Sequence, residues 1–392
     1  MTNNNNEYGL KAVMKREVKR LTNRPLYLFC MIIAPLFSTI FFTTLMSEGL
    51  PSKLPMGIVD LDHSSVSRSI VRNLNAFQQT DVVAYYDNFS EARKSLQRGE
   101  IYGFFYIPRN LSRDAQSMKQ PTLSFYTNDS YLIAASLLFK NMKMMGEMAS
   151  AGVSMKTMLA KGATESEARA LLRPIEITSE ALNNPWINYS VYLSNTLIPG
   201  VLALMVLMIT VYSIGIEKKH DTCKEWIRKS NGSMWVAILG KLLPQTIIWI
   251  IMGVSILSYL YGIEKFPCNS GILPMIFAIV VLILATQSLG VFMIGLFPVL
   301  KLGLSMASLW GVLSFSITGF TFPVMAMSPE IQGLARLFPL RHYFIIYVNQ
   351  ALNGFPMIYA WTSYTCLLIF MLLPFFVMKR LKFALLNFKH EA

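Results

Sequence analysis

Residues Val191–Ile216 read VYLSNTLIPGVLALMVLMITVYSIGI, and Glu217-Lys218-Lys219-His220-Asp221-Thr222 follows at once. The run contains no Asp, Glu, Lys, Arg or His. As an α-helix it would be about 39 Å long at ~1.5 Å per residue, enough to cross ~30 Å of hydrocarbon. Five more stretches pass the same test: Leu26–Met46, Leu242–Ile263, Ile272–Pro298, Leu302–Pro323 and Pro356–Met378. Composition agrees, because only 15% of the 392 residues are charged while 53% are hydrophobic, and an ordinary soluble domain is about 25% charged. A disordered chain, a disulfide-stapled secreted domain and a plain cytosolic enzyme are excluded. Leu26–Met46 follows a basic arm as a signal peptide would. Its apolar run is too long, however, and Ser47-Glu48-Gly49 offers no cleavage site, so it reads as an uncleaved anchor. The expected fold class is an α-helical polytopic membrane protein with six transmembrane helices.

Charge placement orients the spans. With the N-terminus in the cytoplasm, the inner segments hold 17 of the 35 basic residues and six acidic ones, a local net charge of +11. The inner basic residues include Lys11, Lys15, Arg16, Lys19, Arg20 and Arg24 of the arm, Lys224, Arg228 and Lys229 of the loop after the second span, and Lys379, Arg380, Lys382 and Lys389 of the tail. The short outer loops hold only Lys265, Arg336 and Arg341. The chain's net charge of +13 is therefore a matter of topology, and no nucleic acid is needed to explain it. The expected divisions are a cytoplasmic amphipathic arm (1–25), a first span (26–47), an extracytoplasmic domain (48–190), a five-span bundle (191–378) with a cytoplasmic loop at 217–230, and a cytoplasmic tail (379–392).

Residues 48–190 carry 15 basic and 14 acidic residues, the balance of a soluble domain. Met56–Leu61, Val82–Tyr86, Ile101–Ile107 and Thr122–Tyr126 have strand character. Ser67–Phe77 and Ser90–Arg98 have helical spacing, with Ser90 as N-cap of the second. Residues 131–172 read as one or two helices broken near Gly152 and Gly162. An inserted α/β domain is the economical description. In the arm, Leu10, Val13, Met14, Val18 and Leu21 share one helical face, as in a helix lying in the headgroup layer.

Catalytic signals are scarce. Gly240-Lys241 lacks the upstream glycine and following Ser/Thr of a phosphate loop. The histidines are scattered, Asp60-x-Asp62 has too few carboxylates for calcium, and no nucleophile elbow is present. The chain therefore calls for no cofactor or metal of its own. Ion-coupled carriers keep ionisable groups inside their spans, and these six spans contain none. A partner that hydrolyses ATP is the simplest source of driving force.

Three ordered blocks bear a resemblance. Pro199-Gly200 and then Glu217, Lys218 and Thr222 are similar to the second span and coupling loop of ABC-2-type ABC transporter permeases, which usually have Glu-Arg-Glu-Arg-Gly-Thr there. Lys219 and Asp221 depart from that pattern. Gly57-Ile58-Val59-Asp60-Leu61-Asp62 with Ser64, Ser67-Arg68 and Leu74 resembles the start of the large extracytoplasmic domain of one branch, a half-size exporter permease. Gly319-Phe320-Thr321-Phe322-Pro323, then Met327, Pro329 and Phe338-Pro339-Leu340-Arg341, resembles the signature between spans five and six.

The resemblance implies a non-catalytic permease subunit that moves drugs or other amphipathic molecules across a bacterial cytoplasmic (inner) membrane, with ATP and Mg bound by a partner ABC ATPase. It also implies a second permease copy or paralogue and, in this branch, a periplasmic adaptor and outer-membrane channel. ATPase coupling falls to Glu217, Lys218 and Thr222. An outer gate falls to Gly319, Phe320, Phe322, Pro323, Pro339 and Arg341, with a re-entrant segment at 324–355. Two other classes stay open: a membrane-anchored surface or scaffold protein whose outer domain binds a partner, and a lipid-modifying membrane enzyme.

Overall fold

The computed structural model describes residues 8–117, 119–172, 183–184 and 188–387. The ends of the arm and tail, with Lys389 and His390, and most of the segment returning to the second span lie outside the described residues. The chain forms two compact units, one of Met1–Ser47 with Ala181–Ala392, the other of Glu48–Glu180.

The first unit opens with helix α1 (Leu10–Asn23), and Pro25 then starts α2 (Pro25–Leu45). A π-helical turn at Phe29–Ile33 lies just before Pro35. Pro35 has no N–H to give to the carbonyl four residues back, and the wider turn carries the helix past it.

The second unit is a four-stranded sheet with helices on its faces. Its elements are β1 (Leu54–Asp60), α3 (Ser65–Asn75), β2 (Thr80–Tyr85), α4 (Phe89–Arg98), β3 (Gly103–Ile107), α5 (Leu111–Gln116), β4 (Ser124–Thr127), α6 (Leu132–Ala160) and α7 (Glu165–Leu172). The strand order is β2-β1-β3-β4, parallel except for the antiparallel β3–β4 pair. Alternation along the strands sends side chains to two cores. Met56, Ile58, Phe105 and Ile107 pack with Leu138 and Met142 of α6, while Val59 and Phe104 pack with Ala92 of α4.

Two local expectations need correcting. The cap of α4 is Asn88, not Ser90. Its Oδ1 accepts from the Glu91 N–H at 2.9 Å and its Nδ2 donates to Glu91 Oε1 at 3.0 Å, a reciprocal cap. This lets Phe89 join the helix and pack edge-on against Phe104. The second correction concerns α6, which runs straight through Gly152 and stops at Ala160, before Gly162 at φ +91°. Gly inside a helix costs only about 1 kcal/mol, too little to break a helix of 29 residues.

The rest of the first unit contains α8 (Tyr189–Lys219), the short α9 (Cys223–Lys229), α10 (Met234–Ile263), α11 (Ile272–Leu296), α12 (Leu300–Ile317), α13 (Pro329–Ala335), α14 (Pro339–Tyr347) and α15 (Met357–Asn387). Six of the described helices, α2, α8, α10, α11, α12 and α15, are long and apolar enough to cross a membrane. The fold is that of a helical polytopic membrane protein with an inserted α/β domain. Glycines on α8 and α12 bring those helices together: a Cβ on Gly200 would stand 2.4 Å from the Phe315 ring, and one on Gly311 would stand 2.3 Å from Leu204. Small residues of this kind allow close helix approach where no hydrophobic effect drives association.

Three span boundaries differ markedly from the sequence expectation, and the largest shift is in the sixth, whose helix runs through the expected tail to Asn387, nine residues past Met378. The third helix begins at Met234, eight residues before Leu242, so Lys241 lies inside it, and its side chain is fully buried. The fifth ends at Ile317, and residues 318–323 form a corner outside it. Scanning for uncharged runs places a boundary at the first charge. It cannot detect a charge that the fold neutralises.

Candidate functional site

The two ends of α8 carry the residues that the sequence singles out. At its C-terminal end, the fully buried Glu217 carboxylate is gripped from three other elements. Arg16 of α1 donates to both of its oxygens at 2.8 Å, and Lys241 of α10 donates at 2.7 Å. Arg20 of α1 and the Thr222 hydroxyl, which lies just ahead of α9, donate as well. Lys241 also donates to the buried Glu17 of α1 at 2.7 Å, and Gln245 donates to the other Glu17 oxygen at 2.9 Å. The Lys241 ammonium stands 4.9 Å from the centre of the buried Trp226 ring of α9. Two carboxylates and three cations thus meet where four helices converge. A buried charge is tolerated only when it is paired and hydrogen-bonded, and each of these is.

The backbone completes the joint. The Gly9 N–H donates to the Lys229 carbonyl at 2.7 Å, binding the start of α1 to the end of α9. A Cβ on Gly240 would come within 2.7 Å of Val13, so the bare glycine is what lets α1 lie against α10. The Gly240-Lys241 pair, which is no phosphate loop, therefore has a structural use: the glycine admits α1 and the lysine pairs with it. Lys218 donates to the Pro298 carbonyl at 2.9 Å, which ties the same end of α8 to the turn before α12.

This arrangement revises the expected amphipathic arm. The buried stripe of α1 is Val13, Glu17 and Leu21, whereas Leu10 and Val18 are exposed. Arg16 and Arg20 turn inward. Burial disfavours the charged Arg16, but its hydrogen bond to Glu217 and that carboxylate's charge outweigh it, and the guanidinium's pKa is held above its ordinary value. The Cys223 thiol is buried as well, and desolvation pushes its pKa up to about 12. It is a poor nucleophile for any labelling reagent.

Glu217 and Lys218 are thus placed inside the protein. On α9 the most exposed side chains are Lys224, Glu225 and Arg228, with Lys229 part-exposed beside them. Lys229 pairs with Glu225 at 2.9 Å, and that hydrogen bond holds the carboxyl below its ordinary range.

At the N-terminal end of α8, the late-chain block forms a corner. Gly319 adopts φ +104°, and a Cβ there would lie 3.0 Å from both Arg341 Nη1 and Val324 Cγ2. Arg341 Nη1 donates to the Thr318 carbonyl at 3.0 Å, closing the corner between α12 and α14. Pro339 opens α14 at its first position, where a missing N–H costs nothing. The Tyr192 hydroxyl of α8 donates to the Phe320 carbonyl. The Phe320 ring is 5% exposed and sits 6.3 Å from Phe344, whereas Phe322 is 52% exposed. Pro323 leads into a 3₁₀ turn at Val324–Ala326.

Of the other sequence candidates, Asp60 Oδ1 accepts from the backbone of Asp62 and His63, and Asp62 Oδ2 accepts from Ser112. The Asp60 carboxylate is occupied in a turn, and that of Asp62 at the start of α5. No group of three or more metal-ligating side chains is found among the described residues. The sequence expectation missed Glu17, Lys241 and Gln245. The signal available was spacing: Glu17 lies four residues from Val13 and four from Leu21, in the middle of an otherwise apolar stripe.

No curated protein matches the sequence. A family model does, over residues 25–378, from the first turn of α2 well into α15, and by that match the chain belongs to the ABC-2 family of transporter proteins.

Proposed function

We propose that the chain is the permease half of an ATP-driven exporter that moves drugs or other amphipathic molecules out of the cytoplasm or inner membrane. Membership of the ABC-2 family makes it a membrane-embedded, multi-pass transporter component that works with an ABC ATPase. The finer reading places both termini and the 217–230 loop in the cytoplasm and the α/β unit outside it, in line with the excess of basic residues at those ends. A second permease copy or paralogue would complete the pathway, and ATP and Mg would belong to the partner. A periplasmic adaptor and outer-membrane channel fit the same reading.

The observation that carries it is the charge cluster around Glu217. α9 does not hang from a loop: Trp226, Thr222 and the Gly9–Lys229 bond join it to α1, α8 and α10. A push on α9 by an ATPase would therefore reach three helices at once, biasing two arrangements of a packed unit. Glu217, Lys218 and Thr222 act here as positioning groups, and the docking contacts fall to Lys224 and Arg228.

The test is to reverse both exposed charges, Lys224→Glu with Arg228→Glu, and to measure co-purification of the ABC ATPase and transport-stimulated ATP hydrolysis. Loss of both with normal membrane insertion supports the dock, and wild-type coupling rejects it. Orientation is read separately, in a variant lacking the native cysteines. An impermeant maleimide on intact cells should label Lys265→Cys and spare Arg228→Cys. The reverse pattern overturns the topology.

A further inference from the structure

Helix α1 is built from four rows of residues at i, i+4, i+8 spacing, each row about 100° around the helix from the next. Two rows turn inward. Val13, Glu17 and Leu21 are buried, and Arg16 and Arg20 reach Glu217. The other two rows face away from the protein. Leu10, Met14 and Val18 make an apolar row, in which Leu10 and Val18 are exposed and Met14 is half-buried. Lys11, Lys15 and Lys19 make the row beside it, and all three are exposed. The joint around Glu217 uses neither outward row.

Nothing within the chain accounts for this flank. The one acid of α1 is Glu17, on a buried row. Among the described residues none forms an ion pair with Lys11, Lys15 or Lys19. Its place in the fold supplies the missing partner. Pro25 starts α2 two residues after α1 ends at Asn23. Leu26, Leu28 and Phe29 are exposed in the first turns of α2, a helix long and apolar enough to cross a membrane, and there they face lipid. The flank of α1 therefore meets the bilayer where hydrocarbon gives way to headgroups. A helix is held at that depth by an apolar row sunk below the headgroups and by lysines level with them.

We propose that the outward flank of α1 binds anionic phospholipid, with Leu10, Met14 and Val18 against the upper acyl chains and Lys11, Lys15 and Lys19 on the phosphates. Charge selects the class, because three cations and no acid in a row about 12 Å long favour an anionic headgroup over a zwitterionic one. The apolar row beside them selects a lipid over a dissolved anion. The inward rows of the same helix grip Glu217, so a bound lipid steadies the joint that fastens α9. The surface requires neither an ATPase nor a direction of transport.

The test places the full chain in nanodiscs of phosphatidylcholine, with or without added phosphatidylglycerol, and follows acetylation of individual lysines by mass spectrometry. Phosphatidylglycerol should slow labelling of Lys11, Lys15 and Lys19 at least about fivefold, because charge-assisted contacts to phosphate cover the amines. Lys224, Lys301 and Lys379 are exposed at the same end of the bundle. They should change less than about twofold, as charges farther than a Debye length from the headgroups would. Leu10→Ser with Val18→Ser, both at exposed positions, should return the three lysines to within about twofold of their rate in phosphatidylcholine alone, since the apolar row no longer holds the flank in the interface. Equal slowing at all six lysines would show only a diffuse surface charge, and no slowing would leave the flank to a protein partner. Slowing by inorganic phosphate without phosphatidylglycerol would assign it to a dissolved anion, and protection that survives the double serine variant would remove the apolar row from the site. Each of these four results overturns the proposal.

Discussion

The two ends of α8 are fastened by different physics. At Glu217 the fastening is ionic, with three cations and two carboxylates from separate helices held out of water. At Tyr192 it is steric and backbone-based, resting on a left-handed glycine, an arginine on a carbonyl and a buried phenylalanine. A charge cluster depends on every member being present, because losing one strands another in low dielectric. A packed corner degrades more gradually. The ionic end is therefore suited to all-or-none transmission, and the corner to a local change of shape.

The comparison is broken most directly at Glu217. Glu217→Gln removes the carboxylate that Arg16, Arg20 and Lys241 share, and Lys241→Met removes the cation paired with the buried Glu17. Each should cost ~3–5 kcal/mol, the usual price of breaking a buried pair, as read by thermal unfolding in detergent. Either variant staying within about 0.5 kcal/mol of the unaltered protein, as an ordinary surface change would, would show that the cluster does not depend on every member.

At the other end, Phe320→Ala should cost ~3–5 kcal/mol if the ring contributes as a buried core aromatic. Phe322→Ala should stay within about 0.5 kcal/mol, as at an exposed position. If Phe322 governs passage, its variant changes efflux per molecule while abundance and unfolding stay normal. Altered efflux from Phe320→Ala at normal stability would instead assign the gate to the buried ring.

A smaller effect separates strain from packing. Gly319→Ala should destabilise by more than about 1 kcal/mol, because its positive φ disfavours a Cβ and Arg341 occupies the space. Gly333→Ala, in α13 with open space around it, should stabilise by about 0.5–1 kcal/mol. Equal effects at the two sites would show that φ at Gly319 is not a constraint.

The smallest effect lies on the solvent face of the ionic end. The Glu225–Lys229 pair is an exposed i,i+4 contact worth ~0.3–0.5 kcal/mol. Its hydrogen bond lowers the Glu225 pKa, so its contribution is present above the unfolded carboxylate pKa and fades as pH falls through the lower folded value. Glu225→Gln should remove that acid-side dependence and leave stability at neutral pH nearly unchanged in pH-resolved melts.

Much of this was legible in the residues. Runs such as Val191–Ile216 announce a spanning helix because backbone groups in hydrocarbon must bond within their own helix. The alternation in Met56–Leu61 announces a strand because its side chains serve two cores. The Gly319–Pro323 block stood out through its breakers. The ionic cluster did not, because each charge looks ordinary in its own stretch. Arg16 and Arg20 sit among lysines, Glu17 resembles a solvated helix residue, and Lys241 marks the edge of an apolar run.

The sequence by itself determined the number of long apolar helices, the inserted α/β unit and the family, since these follow from local hydrophobicity, periodicity and ordered motifs. Tertiary structure alone decided that Glu17, Glu217 and Lys241 meet. They lie on three helices far apart in the chain, and only packing around Gly240 brings their charges within hydrogen-bond reach. It also decided that Phe320 is buried while Phe322 is not, two residues of one type that both follow Gly319, because the fold brings Phe344 of α14 against the Phe320 ring and leaves Phe322 exposed.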